Sequence, residues 1–110
     1  MLEITKESIY NIKNSVTVKN ILGETFFILD SESGKQYNLS EMEYEIIDCI
    51  SKGVAFGEIV DNLAKEYNAS IEQIEEDLKE YVASLLEEGL IFAWWKGLYV
   101  NSSFPEVFLG

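Results

Sequence analysis

The side chains that could do chemistry in this 110-residue chain are few. The chain has no histidine, and its eight positively charged residues are all lysines. The missing histidine excludes a Ser–His or Cys–His nucleophile pair and an ordinary zinc site, and the missing arginine excludes a bidentate clamp on phosphate or guanine. The one cysteine, Cys49, falls on the apolar face of a predicted helix, where a small buried side chain is expected. The 20 acidic residues show neither the loop of an EF-hand nor a paired-acid spacing, so we predict no catalytic residue, no metal site and no cofactor.

The main chain offers a different chemistry at residues 35–39, KQYNL. Polar and apolar residues alternate along this stretch, which indicates a half-buried strand. A strand at the edge of a sheet has unpaired N–H and C=O groups, and an extended peptide can bind by pairing with them. The stretch contains no proline, and Lys35 is its only charge, so little in it opposes such pairing. The alternative is that the N-terminus or the C-terminal tail of the same chain covers this edge.

Two further strands are predicted before this one. Residues 16–22, VTVKNIL, and residues 24–30, ETFFILD, are rich in β-branched and large apolar side chains, and Gly23 between them supplies a tight turn. Residues 31–34, SESG, form a second turn. Successive hairpins make an antiparallel meander, so the first and third strands are expected at its edges.

Apolar residues that recur every three or four positions predict three helices after the strands. Their expected bounds are residues 41–52, 56–67 and 70–88. The first and third begin at sequences typical of a capping box, Ser40 with Glu43 and Ser70 with Gln73. The second has Ala55 where a capping Ser or Thr is expected, which costs about 1 kcal/mol of capping.

The order of these elements predicts an α+β, winged-helix-like fold: a three-stranded antiparallel meander followed by three helices. Residues 90–100 are expected to form a C-terminal wing hairpin that turns near Lys96 and Gly97. The length and the hydrophobic fraction of 47% fit a single globular domain.

The overall charge excludes some partners. A net charge of −12 repels the backbone of a nucleic acid. No apolar run reaches the roughly 18–20 residues that span a bilayer, and the mixed, charged residues 1–15 do not resemble a signal peptide. We therefore expect a cytoplasmic protein that binds neither nucleic acid nor a membrane.

Several of these features occur together in a known family. Asp30 and Gly34 precede a Tyr-Asn-Leu strand at residues 37–39, and the first helix ends before a Lys-Gly pair at residues 52–53. The second helix contains Glu-Ile-Val, Leu-Ala and Tyr-Asn in that order, and the third ends in Leu-x-x-x-Gly-Leu-Ile. This ordered set, spread over residues 16–91, resembles the PqqD-like family of recognition elements, which bind the leaders of ribosomally made precursor peptides.

The resemblance implies a non-catalytic adaptor. In such domains the leader adds as a strand to the third strand of the meander and lies in the groove between that strand and the third helix. The adaptor then presents the precursor to a maturation enzyme, which is a radical-SAM protein, a cyclase or a protease. The resemblance divides the chain into an N-terminal segment, a peptide-binding domain and an aromatic C-terminal extension: residues 1–15, 16–91 and 92–110.

The peptide-binding residues are then expected on the third strand and the third helix. These residues are Lys35, Gln36, Tyr37, Asn38, Leu39, Ile74, Leu78, Lys79, Val82 and Leu86. Tyr37 and Leu39 share one face of the strand, a pattern that is also typical of a core, and Ile74 and Leu78 are also candidates for core anchors. The acidic face of the third helix is either a solvated surface or a feature that favours a leader with flanking Lys or Arg residues.

Two other functions remain open at this point. The second and third helices could read DNA as a winged-helix regulator does, although the charge argues against it and the third helix contains one lysine, Lys79. The chain could also be a structural subunit of an oligomer. Residues 92–110 are too apolar to stay in water. They are expected to pack as a wing on the core, to form a homodimer contact or an enzyme-docking surface, or to occupy a groove in place of a leader.

Overall fold

A computed structural model describes residues 3–93 of the chain. Five strands and three helices follow one another in these residues. They are β1 (Tyr10–Ile12), β2 (Val16–Ile21), β3 (Thr25–Asp30), β4 (Gln36–Leu39), α1 (Glu41–Ser51), α2 (Phe56–Glu66), α3 (Ile71–Glu87) and β5 (Ile91–Ala93). The predicted α+β fold is confirmed, because β2, β3 and β4 form an antiparallel sheet in that order and the three helices follow.

A second sheet was not predicted. Strand β1 pairs antiparallel with β5, and Tyr10 lies opposite Ala93. Neither strand has a local signal, because each is three residues long and its partner is about 80 positions away in the chain. Residues 91–93 of the predicted wing thus pair with β1. Residues 94–100 of that hairpin, and nearly all of the segment predicted to form a homodimer contact, lie outside the described residues.

The central sheet has one face toward the helices and one toward solvent. The core face carries Ile28, which is 1% exposed, with Tyr37 directly opposite it on β4. Helix α1 packs on this face, where the rings of Phe26 and Tyr44 stack with their centroids 4.8 Å apart. The other face of β3 carries Leu29, which is 36% exposed. The alternation predicted from the sequence therefore puts the sheet between the helical core and solvent.

The helix starts follow the predicted capping chemistry with one exception. Ser40 and Glu43 form a complete capping box at α1. At α3 the Ser70 hydroxyl accepts from the Gln73 N–H, but the Gln73 side chain donates to Asp77 at 3.0 Å and does not return to the cap. The second box is therefore half formed, because Asp77, one turn further along the helix, is a charged acceptor for the same amide.

Helix α2 has no side-chain cap at Ala55, as expected, and the N-terminal segment takes over this function. The N–H groups of Phe56 and Gly57 donate to the carbonyls of Ser8 and Lys6 at 2.8 and 2.9 Å. The N-terminal segment and the start of α2 approach so closely that a Cβ on Gly57 would lie 3.0 Å from the Lys6 Cβ. Residues 6–8 thus satisfy amides that a Ser or Thr side chain would otherwise cap.

Candidate functional site

Strand β4 lies at an open edge of the sheet. Within residues 3–93 its only strand neighbour is β3. Its four residues alternate between exposed and half-buried side chains, with Tyr37 and Leu39 packed against the core. Its other edge is therefore free of any strand that the structure describes.

The pairing with β3 decides which groups of β4 face outward. The Asp30 N–H donates to the Lys35 carbonyl at 2.9 Å, which makes residues 30 and 35 a hydrogen-bonded pair. Hydrogen-bonded and non-hydrogen-bonded pairs alternate along an antiparallel ladder, so Tyr37 and Leu39 exchange hydrogen bonds with β3. Gln36 and Asn38 do not, and their N–H and C=O groups point away from the sheet.

The outward-facing edge ends abruptly after Asn38. The next N–H on that side, from Ser40, donates to the Glu43 carboxylate at 2.9 Å, and the Ser40 carbonyl accepts from the Tyr44 N–H at 2.9 Å. Both groups are used by the start of α1. The edge therefore offers the N–H and C=O groups of two residues, Gln36 and Asn38, and no more in that direction.

A buried carboxylate fixes the other end of β4. Asp30 is 4% exposed, and its Oδ1 accepts from the Ser15 hydroxyl at 2.6 Å and from the Glu32 N–H at 3.0 Å. The Lys13 ammonium lies 3.6 Å from its Oδ2. The Asp30 carbonyl also accepts from the N–H of Gly34 at 2.7 Å, in a turn where Gly34 adopts a φ of +78° that favours glycine. Asp30 thus ties together the start of β2 and the turn that leads into β4.

These contacts predict a specific acid sensitivity. Hydrogen bonding from Ser15 is the main factor that holds the pKa of Asp30 below its ordinary value of 3.8. The unfolded chain therefore binds a proton more readily at this position, and the stability from Asp30 is present above that value and is lost as the pH falls through the lower, folded pKa. We expect Asp30→Asn to be less stable than wild type at pH 7, and the difference in unfolding free energy to shrink below about pH 4. Urea titrations from pH 7 to pH 2.5 would measure it, and a gap that stays constant with pH would contradict the assignment.

A matched control is available for that comparison. Glu24 lies on the exposed turn between β2 and β3, so Glu24→Gln removes one negative charge without touching the Asp30 contacts. Its difference from wild type is expected to stay small at every pH.

The groove beside β4 is formed with α3. The Tyr37 hydroxyl donates to Glu88 Oε1 at 3.1 Å, and partial burial together with this carboxylate raises the pKa of Tyr37. Tyr81 lies on the same flank of α3, seven residues before Glu88, which is two helical turns. Burial raises the pKa of Tyr81, and the charge of Glu43 adds to the effect. Tyr37 on β4 thus meets Glu88 at the end of α3, and the charge of Glu43 reaches Tyr81 on the same flank; we call the space between β4 and this flank of α3 the groove.

The helix residues predicted for the site lie elsewhere on α3. Ile74, Leu78 and Val82 are 6%, 2% and 1% exposed and belong to the core. Lys79 forms an ion pair with Glu75 at 3.6 Å. Advancing about 100° per residue places Leu86 on the stripe that contains Lys79 and Glu75.

That stripe lies on the opposite flank of α3 from Tyr81 and Glu88, and its first residue faces α2. Glu75 lines a shallow cavity of about 350 Å³ on the α2 side of α3. The cavity is lined by Lys6, Phe56, Gly57, Glu58, Val60, Asp61, Ile71 and Glu75. Of the residues predicted from the sequence, the structure thus brings the β4 residues to the groove but not Lys79 or Leu86. It brings Tyr81, Glu88 and Glu43 there instead, and the spacing of Tyr81 and Glu88 is the sequence signal that could have identified this flank.

The described residues hold no cluster of metal-ligating side chains. No three His, Cys, Asp or Glu side chains between residues 3 and 93 converge closely enough to hold a metal. In the same part of the chain, no helix combines the length and the apolar character needed to cross a bilayer.

Comparison with known proteins identifies the family. The sequence pattern of coenzyme PQQ synthesis protein D (PqqD) matches residues 25–91. The chain belongs to the PqqD family. The matched region runs from the start of β3 to the first residue of β5, so it contains β4, all three helices and every residue of the groove. No curated protein has significant sequence similarity to the chain.

Solved structures share the fold. The protein TbiB1, in complex with the TbiA(beta) leader peptide, has a TM-score of 0.70 and 23% identity, over 76% of this chain and 96% of TbiB1. A lasso peptide synthetase B1 complexed with its leader peptide has a TM-score of 0.69 and 22% identity, with the same coverage of both chains. This PqqD-family chain thus has the fold of two proteins whose structures contain a leader peptide.

Proposed function

We propose that this PqqD-family protein is a non-catalytic adaptor that binds the leader of a ribosomally made precursor peptide. The observation that carries the proposal is the edge of β4 that no strand within residues 3–93 covers, where the main-chain groups of Gln36 and Asn38 point away from the sheet. An extended peptide that adds there satisfies these groups and extends the sheet by one strand. The two structural neighbours, which are complexes with leader peptides, support the same ligand class.

In this proposal the main chain and the side chains of the site have separate tasks. Four main-chain hydrogen bonds, each contributing a net ~0.5–1.5 kcal/mol, hold the peptide in register and do not depend on its sequence. The peptide residues opposite Tyr37 and Leu39 direct their side chains to the core face of the sheet, where the groove with α3 receives them. Sequence preference therefore arises from the groove.

The proposed role of the adaptor is to deliver the precursor. Binding the leader beside a maturation enzyme, whether a radical-SAM protein, a cyclase or a protease, raises the local concentration of the precursor to the millimolar range. The peptide would bind at the edge of β4, and the face of the sheet that carries the exposed Leu29 is the proposed surface for that enzyme. We propose that this delivery takes place in the cytoplasm, where the precursor is made.

A nuclear magnetic resonance titration tests the proposal. The probes are synthetic N-terminal segments of any short peptide that sequencing finds encoded beside the gene for this protein. We expect amide shifts at residues 36–39 and at Tyr81 and Glu88, and none at Lys79 or Leu86, because those two lie on the α2 side of α3. Binding whose shifts cluster on β2 or on the α2 side, with β4 unchanged, would contradict strand addition to β4.

A further inference from the structure

Two carboxylates of the groove are only partly used inside the protein. One oxygen of Glu43 accepts the Ser40 N–H at 2.9 Å, and one oxygen of Glu88 accepts the Tyr37 hydroxyl at 3.1 Å. Within residues 3–93 neither carboxylate has a lysine partner, since the ion pairs there join other groups. Each therefore keeps an oxygen available to a further donor.

Both carboxylates lie where an added strand would pass. The Ser40 N–H follows those of Gln36 and Asn38 on the outward side of β4, because every second residue points the same way. The Glu43 oxygen that accepts it is thus in line with the open edge. Glu88 lies under Tyr37 on the α3 side of the groove, so the two carboxylates lie along the path of one peptide.

The lysines near the groove do not offset this charge. The charge of Lys13 reaches the Tyr37 hydroxyl, but Lys13 is paired with Asp30 and Glu32. On α3 the single lysine, Lys79, lies on the opposite flank and is paired with Glu75. Lys35 lies at the other end of β4 from Glu43. A peptide that covers Glu43 and Glu88 removes water from them, and a covered charge without a partner is costly. A positively charged peptide side chain at that place would pair with the carboxylates and offset this desolvation cost. The net charge of −12 also attracts cationic peptides to the protein.

We infer that the peptide bound at β4 carries a Lys or Arg whose side chain enters the groove and pairs with Glu43 or Glu88. This inference rests on the proposed function, because it concerns the ligand of the same edge. The cation belongs to a residue opposite Tyr37 or Leu39, since only those peptide side chains face the groove. Glu43 and Glu88 are therefore specificity-determining residues.

The test compares two double variants of equal charge. Glu43→Gln with Glu88→Gln removes both charges but keeps both structural contacts, because Gln also completes a capping box and its side-chain oxygen still accepts the Tyr37 hydroxyl. Glu72→Gln with Glu76→Gln removes two charges from exposed positions of α3 that lie away from the groove. A displayed library of 12-residue peptides with randomised central positions is selected on wild type, and the enriched peptides are then titrated against all three proteins.

The expected result is an enrichment of Lys or Arg at alternate positions. Such peptides should bind the groove variant about fivefold more weakly than wild type or the control variant at low salt, and high salt should remove most of the difference. The inference is overturned if selected peptides need the β4 edge, as shown by loss of binding to Gln36→Pro, yet show no basic preference or bind both double variants equally. If no selected peptide is sensitive to Gln36→Pro, the proposed function itself fails.

Discussion

Gln36→Pro is expected to weaken leader binding at least tenfold while the protein stays folded. The Gln36 N–H points away from β3, so its loss removes no hydrogen bond from the sheet, and proline is tolerated on such an edge. An added peptide would lose its partner for one carbonyl and would meet the proline ring. A carbonyl that is covered but unpaired costs about 1–3 kcal/mol, which corresponds to the expected loss of affinity. Calorimetric titration with the leader peptide measures the affinity, and urea unfolding measures the stability.

Two variants make this result specific to the edge. Gln36→Ala keeps the N–H and should bind nearly as wild type does. Tyr37→Pro removes an N–H that pairs with Ile28, so it should lower the unfolding free energy by about 1–3 kcal/mol. If Gln36→Pro binds the leader as tightly as Gln36→Ala, main-chain pairing at this edge does not hold the peptide.

Ile28→Ala is expected to produce the largest loss of stability among the variants considered. Ile28 is 1% exposed on the central strand of the sheet and lies opposite Tyr37. Truncating a buried Ile costs about 2–5 kcal/mol, because contacts are lost and the cavity collapses only partly. In a domain of this size the melting temperature should fall by about 10 °C or more. Thermal unfolding followed by circular dichroism measures the change.

Leu29 provides the matched control on the same strand. It points to the solvent-facing side of the sheet and is 36% exposed, so Leu29→Ala should cost less than about 1 kcal/mol. Equal losses for the two variants would mean that the core does not lie on the side of the sheet that carries Ile28. Because Tyr37 packs beside Ile28, Ile28→Ala should also weaken leader binding, whereas Leu29→Ala should not.

The sequence predicted the strands of the meander and the three helices well because their signals are local. The alternation in KQYNL and the Ser40–Glu43 pair act within a few residues, so neither depends on the rest of the chain. The short strands β1 and β5 have no such signal, since their pairing joins segments at opposite ends of the described chain. The capping of α2 by the carbonyls of Ser8 and Lys6 could not be predicted either, because every residue has a main-chain carbonyl and the sequence does not mark which ones act as caps.

The proposed site follows from the sequence only in part, for the same reason. The sequence identified β4, but it did not show which of its amides face outward, because that depends on the register with β3. It also did not decide which side of α3 faces β4. The buried arc of that helix has a polar flank on each side, and the flank with Lys79 and Leu86 is as plausible from periodicity as the flank with Tyr81 and Glu88. The hydroxyl contact between Tyr37 and Glu88 settles the choice.

The sequence by itself thus determined a chain without histidine or arginine, with a short strand that a capping box ends at Ser40. Those properties depend on residue types and on contacts over a few positions. Only the tertiary structure decided that, among the described residues, Gln36 and Asn38 present the free edge and that Glu43 and Glu88 lie beside it. Both depend on how distant elements pack, and packing of distant elements is set by the whole core rather than by any one stretch of sequence.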